Sequence, residues 1–217
     1  ENKDRIFPAV INYSQNKDYL RRIPHRKFLD LAIVYKIIFS DEIHSNFAFT
    51  INNCVMSHWN ITEEELYTQA IENSKNENEY TVLTLYEAVL NILPSDKHPE
   101  EITNLIDVNN SEVMLTVMDK SGFLGSSALM FPEVFKKALE DYYPDSTKLL
   151  ILPSSTKEVI LIPYPEDNTS ILELWEMVKS VNETSVAPQE ILSNENIYIY
   201  EKESNIVRIF EKSEVME

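Results

Sequence analysis

Ser154 and Ser155 stand in a short polar turn, Pro153-Ser154-Ser155-Thr156, between two runs of branched apolar residues at 149–152 and 159–162. A hydroxyl on a turn between buried strands can act as a nucleophile if a base takes its proton and an acid orients that base. His25, in Pro24-His25-Arg26, is the candidate base, with Asp30 or Glu158 as the candidate acid. The only glycines are Gly122 and Gly125, so no Gly-x-Ser-x-Gly elbow exists. Serines in such a turn also serve architecture, because their hydroxyls satisfy turn backbone groups. The architectural reading takes precedence.

Metal and cofactor chemistry finds less support. His25, His44, His58 and His98 are each isolated, and no His-Glu-x-x-His or calcium-loop spacing occurs. Cys54 is the sole cysteine, which excludes an internal disulfide and a Cys-rich metal site. Two glycines leave no phosphate loop and no dinucleotide fingerprint, so neither a metal nor a cofactor is expected. Glu63-Glu64-Glu65 and Glu100-Glu101 lie where helix starts favour negative charge, and nothing singles out a glycosidase-type pair. Asp30 and Glu158 adjoin apolar runs, and a buried carboxylate must be paired or hydrogen-bonded. Arg21, Arg22, Arg26 and Lys157 are the available cations, so a structural ion pair is expected at these two acids. A polar pocket on the concave side of a sheet is the alternative.

The elements that must position these residues are legible as hairpins alternating with helices. The runs at 149–152 and 159–162 read as a hairpin buried on both faces, at the centre of a sheet. Upstream, 7–13 reads as a strand with Pro8 hinting at an edge, Ser14 as the cap of a brief helix through Leu20, and 29–39 as a central strand paired with 47–51. Asn52 or Asn53 caps a short helix, Thr62-Glu63-Glu64-Glu65 is a capping box, and 81–93 reads as a helix. Residues 94–99 end that helix and 107–111 form a loop. Strand 112–118 is expected to pair with 124–130 across Asp119-Lys120-Ser121-Gly122, with a helix from Pro132. A capping box at Ser170 opens a helix with Ile171, Leu174, Trp175, Val178 and Val181 inward, 188–192 is a single turn, and strands 197–200 and 206–210 form a last hairpin. Hairpins in series with helices on a face imply an α+β fold with antiparallel sheet, over residues 1–217 as one domain or as lobes 1–107 and 108–217.

The 217 residues, 43% hydrophobic and 10% aromatic, suffice for a sizeable core. A formal net charge of −17 argues against direct binding to nucleic acid or to an anionic membrane. No apolar run reaches the length of a membrane span, and a cytoplasmic location is expected. The chain begins Glu-Asn-Lys-Asp without Met, so trimming of the natural N-terminus is expected.

Three stretches carry a family resemblance. Ile23-Pro24-His25-Arg26-Lys27-Phe28-Leu29-Asp30-Leu31-Ala32-Ile33-Val34-Tyr35 resembles a signature stretch of the Firmicutes-type bacterial family catalogued as domain of unknown function 5688. Leu152-Pro153-Ser154-Ser155-Thr156-Lys157-Glu158-Val159-Ile160-Leu161-Ile162-Pro163 is similar to a second stretch, with Lys157 where the family pattern has histidine. Val181-Asn182-Glu183-Thr184-Ser185-Val186-Ala187-Pro188-Gln189-Glu190-Ile191-Leu192-Ser193 is similar to a third. The resemblance implies one full-length intracellular bacterial domain and brings no catalytic residue with it. The expected function is a non-enzymatic protein-interaction module, with another protein as partner and strand edges and aromatics such as Tyr198 and Tyr200 as its surface. A serine-dependent hydrolase using the 153–156 turn is the alternative, and an acidic DNA mimic a further one.

Overall fold

Leu31–Ser40 (β3) is the long strand around which a first antiparallel sheet assembles. Its run of Ile, Val, Tyr and Phe suits a strand with both faces covered. The structure, a computed structural model, describes residues 3–40, 46–77, 80–92, 114–165 and 168–215. Ile6–Asn12 (β1) pairs along one side of β3, from Ile6 opposite Ile37 to Asn12 opposite Leu31. The other side is shared in succession by His25–Phe28 (β2) and Asn46–Thr50 (β4). The expectation for 29–39 merged two elements: Leu29 and Asp30 form the two-residue turn between β2 and β3, where Phe28 faces Leu31. Leu29 has φ +53° there, which is unfavourable for a residue with a Cβ.

Among the described residues the second sheet has six antiparallel strands. In chain order these are Tyr80–Thr84 (β5), Leu115–Asp119 (β6), Lys148–Leu152 (β7), Glu158–Pro163 (β8), Ile197–Glu201 (β9) and Ile206–Phe210 (β10). Their spatial order is β10-β9-β7-β8-β6-β5, which puts the β7–β8 hairpin at the centre. Leu149, Ile151, Val159 and Leu161 pack on one face, in a core that also takes Ile6, Val10, Leu31 and Tyr35 from the first sheet. Leu150, Leu152 and Ile162 pack on the other, under Ile171, Trp175 and Val178 of helix Asn168–Thr184. Each such side chain contributes about 1.5–3 kcal/mol by leaving water. β5 precedes residue 107 and pairs with β6 beyond it, so the second sheet draws on both halves of the chain.

The described helices are Lys17–Leu20 (α1), Asn53–Trp59 (α2), Glu63–Glu77 (α3), Leu85–Ile92 (α4), Pro132–Tyr142 (α5) and Asn168–Thr184 (α6). Thr62 and Glu65 exchange hydrogen bonds as a capping box at α3, and the Asn52 side chain accepts from Val55 N–H at α2. Leu66 and Ala70 of α3 and Phe135 and Leu139 of α5 are buried in the shared core.

Four sequence expectations are corrected. Residues 81–93 are not one helix: Thr81, Val82 and Thr84 continue the sheet, and Thr84 with Glu87 forms a capping box that starts α4 at Leu85. Residues 124–130 are not the partner strand of β6 but a 3-10 helix, Gly125–Met130, drawn out of the sheet by side-chain bonds to β1. Ser14 does not cap α1; its hydroxyl donates to Asn12 Oδ1, which also accepts from Gln15 N–H. Val181 is not inward but 40% exposed, beyond Val178, where the α6 residues packed on the sheet end. Residues 94–99 and 107–111, with His44 and His98, lie outside the described residues.

Candidate functional site

The β7–β8 turn is closed by its own serines. Ser154 N–H donates to Leu152 O (3.0 Å), Ser155 N–H to Glu158 O (3.1 Å) and Lys157 N–H to Ser155 Oγ (3.1 Å). Neighbouring segments then pin it. Thr156 N–H donates to Glu190 O (2.9 Å), and Ser126 Oγ donates to Thr156 O (2.8 Å). Gly125 lies so close to Lys157 that a Cβ there would stand 1.9 Å from the Lys157 carbonyl oxygen.

Above this turn opens a groove of about 600 Å³, lined by Ser154, Ser155, Glu158, Glu190, the Asp119–Gly122 turn and the end of α6. Asp119 accepts from Leu124 N–H (2.6 Å), Ser121 N–H (2.8 Å) and the Ser121 hydroxyl, so its carboxylate is spent on holding its turn. Gly122 provides the positive φ, +77°, that the turn needs. Glu190 pairs with Lys157 at 2.6 Å. Glu158 accepts from Ser154 Oγ (2.9 Å) and, at the limit of a hydrogen bond, from Thr116 Oγ1 (3.4 Å). Beneath lies Lys36 of β3. Burial holds its ammonium below its usual value; Asp119 and Glu190 oppose that shift and Lys157 adds to it.

The candidate residues therefore divide among three places. Ser154, Ser155 and Glu158 share the groove. His25 opens β2 in the first sheet, with Nδ1 3.0 Å from Ile23 O, and does not line the groove. Asp30 sits on the strained β2–β3 turn and accepts from Tyr198 OH (2.8 Å), Asn196 Nδ2 (2.9 Å) and Ser193 Oγ (3.2 Å). Among the described residues neither Asp30 nor Glu158 has the ion pair that was expected; two hydroxyls and an amide bond Asp30, and hydroxyls alone bond Glu158. Asp30 thereby latches the first sheet to the second, and burial together with this carboxylate raises the Tyr198 phenol well above its usual value. In the groove the Ser154 hydroxyl faces a carboxylate instead of an imidazole, an arrangement that can bind a cation or hydroxyl group directly. Among the described residues, no three His, Cys, Asp or Glu are grouped to hold a metal, and no helix is long and apolar enough to cross a membrane.

A second cluster escaped the sequence reading. Arg26 of β2 forks onto Glu63 (Nε–Oε1 3.2 Å, Nη2–Oε2 2.8 Å), reaches Glu64 at 2.5 Å, and lies 3.9 Å over the Tyr67 ring. Tyr35 OH donates to the same Glu63 carboxylate. Desolvation and the Glu63 hydrogen bond both push the Tyr35 phenol up. The signal was the first-turn acids of α3, which act on Arg26 as well as on the helix dipole.

The outer edges of the first sheet complete the geometry. On β1 the carbonyls of Ile6, Pro8, Val10 and Asn12 point away from β3, a phase that Pro8 fixes because it has no N–H to give the ladder. They meet Asn73 Nδ2 (2.9 Å), Ser127 Oγ (2.8 Å), Ser126 Oγ (3.2 Å, its one proton shared with the shorter contact to Thr156 O) and Asn16 Nδ2 (2.8 Å) in turn. On β4 the phase is set by Ile51 N–H, which donates to Tyr35 O at 2.8 Å. Ala48 and Thr50 therefore point their backbone groups outward, and no group among the described residues bonds them. Phe47 (49% exposed) and Phe49 (59%) flank that edge on one face, Phe49 edge-on to Phe39 with centroids 6.0 Å apart. Tyr198 and Tyr200, expected at an exposed surface, are fully buried, because the face of β9 that carries them packs into the shared core.

Neither a curated protein nor a solved structure matches the chain. A family model does, over residues 1–202. With most of its length matched, the chain belongs to the family of unknown function DUF5688.

Proposed function

We propose that this chain is a non-enzymatic binding module that captures an extended segment of another protein along the outer edge of β4. One observation carries the reading: an edge whose outward groups at Ala48 and Thr50 are unbonded among the described residues is bordered by two exposed phenylalanines at i and i+2. An added strand bonds to the outward groups through its main chain and lays alternate side chains against Phe47 and Phe49. An edge left open and aromatic is an aggregation hazard unless something covers it. The net charge of −17 favours a basic partner and disfavours nucleic acid.

Ala48→Pro is the decisive variant. Its N–H faces outward, so proline removes nothing from the β3–β4 ladder but blocks a further strand. Displayed random dodecapeptides selected on the native chain should lose binding to Ala48→Pro and to Phe47→Ser/Phe49→Ser, with melting temperature unchanged. Binders indifferent to both variants, or a selection that yields none, would overturn the reading.

The second reading, a serine hydrolase, rests on the Ser154–Glu158 hydrogen bond. Fluorophosphonate labelling that disappears in Ser154→Ala would favour it.

A further inference from the structure

We infer that the segment captured at β4 is basic at its C-terminal end, and that this end runs past Asn46 into the groove to place a lysine or arginine on Glu158. The inference rests on the strand-addition reading and adds the chemistry of the occupant.

The two features are physically joined. Asn46, the first residue of β4, donates from Nδ2 to Ser121 O (3.1 Å), and Ser121 lines the groove that holds Glu158. Every ladder in both sheets is antiparallel, so a strand added to β4 in the same sense ends at Asn46. Two or three further residues at about 3.3 Å each carry it roughly 7–10 Å onward. Of the three carboxylates lining the groove, Asp119 is consumed by its own turn and Glu190 by Lys157. Glu158 is left with hydroxyl donors only, so a cation brought to it meets a carboxylate with no competing ion pair among the described residues. Lys120 also lines the groove, so the preference must come from contact with Glu158 and not from a uniformly negative wall.

Two synthetic probes test this, each nine residues of alternating valine and threonine, one ending in two lysines and the other in two glutamates. Their affinities for the native chain, Glu158→Gln and Ala48→Pro are compared by fluorescence anisotropy. Glutamine keeps an acceptor for Ser154, so Glu158→Gln retains the turn. The lysine probe is expected to bind roughly three- to fivefold tighter than the glutamate probe, as befits a partly exposed ion pair. That preference should vanish in Glu158→Gln, and all binding should vanish in Ala48→Pro. Equal affinity of the two probes, or a preference that survives Glu158→Gln, overturns the inference while leaving strand capture intact, provided that Ala48→Pro abolishes binding. Binding of neither probe, or binding that survives Ala48→Pro, overturns the inference together with the reading on which it rests.

Discussion

Along β1 each outward carbonyl from Ile6 to Asn12 meets a side-chain donor, whereas along β4 those of Ala48 and Thr50 meet none among the described residues. Both strands flank the same β3, so the contrast does not come from strand chemistry. It comes from what the chain spends elsewhere. Residues Gly125 to Leu129 of the 3-10 segment are buried, its two serines used as donors to β1 and its one glycine used to approach the β7–β8 turn. The β2 half of the opposite edge has no such bonds among the described residues, but it is charged, with Lys27 and with Arg26 paired to Glu63 and Glu64 of α3. Sheet edges that are not functional are commonly blunted by charge or cover, and the β4 half of this edge carries exposed phenylalanine instead.

The largest effect is expected where the β1 plug meets the central hairpin. In Gly125→Ala the new Cβ meets backbone at 1.9 Å and cannot be relieved by a side-chain rotation. The plug must shift off β1, the β7–β8 turn, or both, at a cost of about 3 kcal/mol or more in urea unfolding. A loss under about 1 kcal/mol would mean that the plug is loosely seated and that the two edges differ less than their bonds indicate.

A pair of prolines compares the edges more directly. Ala9 lies between the outward residues Pro8 and Val10, so its N–H belongs to the β3 ladder, and Ala9→Pro is expected to cost about 3 kcal/mol. Ala48→Pro, with its N–H outward, is expected to cost less than about 1 kcal/mol. Equal losses would show that β4 is not the free edge described above. Removing the plug's donors comes next in size. Ser126→Ala and Ser127→Ala each strand a carbonyl of β1 and should lose about 1–3 kcal/mol. Phe47→Ser, on the open edge, should leave the unfolding midpoint nearly unchanged.

The central hairpin was legible because its strands are apolar on both faces, which few contexts other than a sheet interior allow. The capping box at Thr62 and the positive φ at Gly122 were legible because their signals are local. The β1 plug was not. Gly125 to Leu129 are small or apolar, and what makes them a 3-10 helix is a set of bonds to Pro8 and Val10 more than a hundred residues away. Helix α4 was misplaced although Thr84 and Glu87 mark its start, because Val82 continues the apolar spacing of the helix into β5. At the candidate site, Ser154, Ser155 and Glu158 were placed together by the hairpin itself. His25 and Asp30 sit only five residues apart in the chain, yet the fold sends one to Ile23 and the other to Tyr198. That separation depends on which element each end of β2 meets, and sequence spacing does not encode it.

The smallest effect separates the β1 plug from the Arg26 fork on β2 by pH. The β1 plug works through hydroxyl and amide donors, which do not titrate in the ordinary range. The Arg26 fork works through Glu63. Desolvation by itself would raise that carboxyl, but hydrogen bonds from Arg26 and Tyr35 outweigh it and hold it below its usual value. A carboxylate with a lower pKa folded than unfolded adds stability that is complete above the unfolded value, about 4.3 for glutamate, and is lost as pH falls through the folded one. Glu63→Gln should therefore be less stable than the native chain by about 1 kcal/mol at pH 7, and the gap should close as pH falls below about 4. Ser127→Ala should instead lose the same amount at both pH values. If the Glu63→Gln gap stays constant from pH 7 to pH 3.5 in urea unfolding, the Arg26 fork contributes no charge-dependent stability. Both β1 and β2 would then be held by neutral contacts alone.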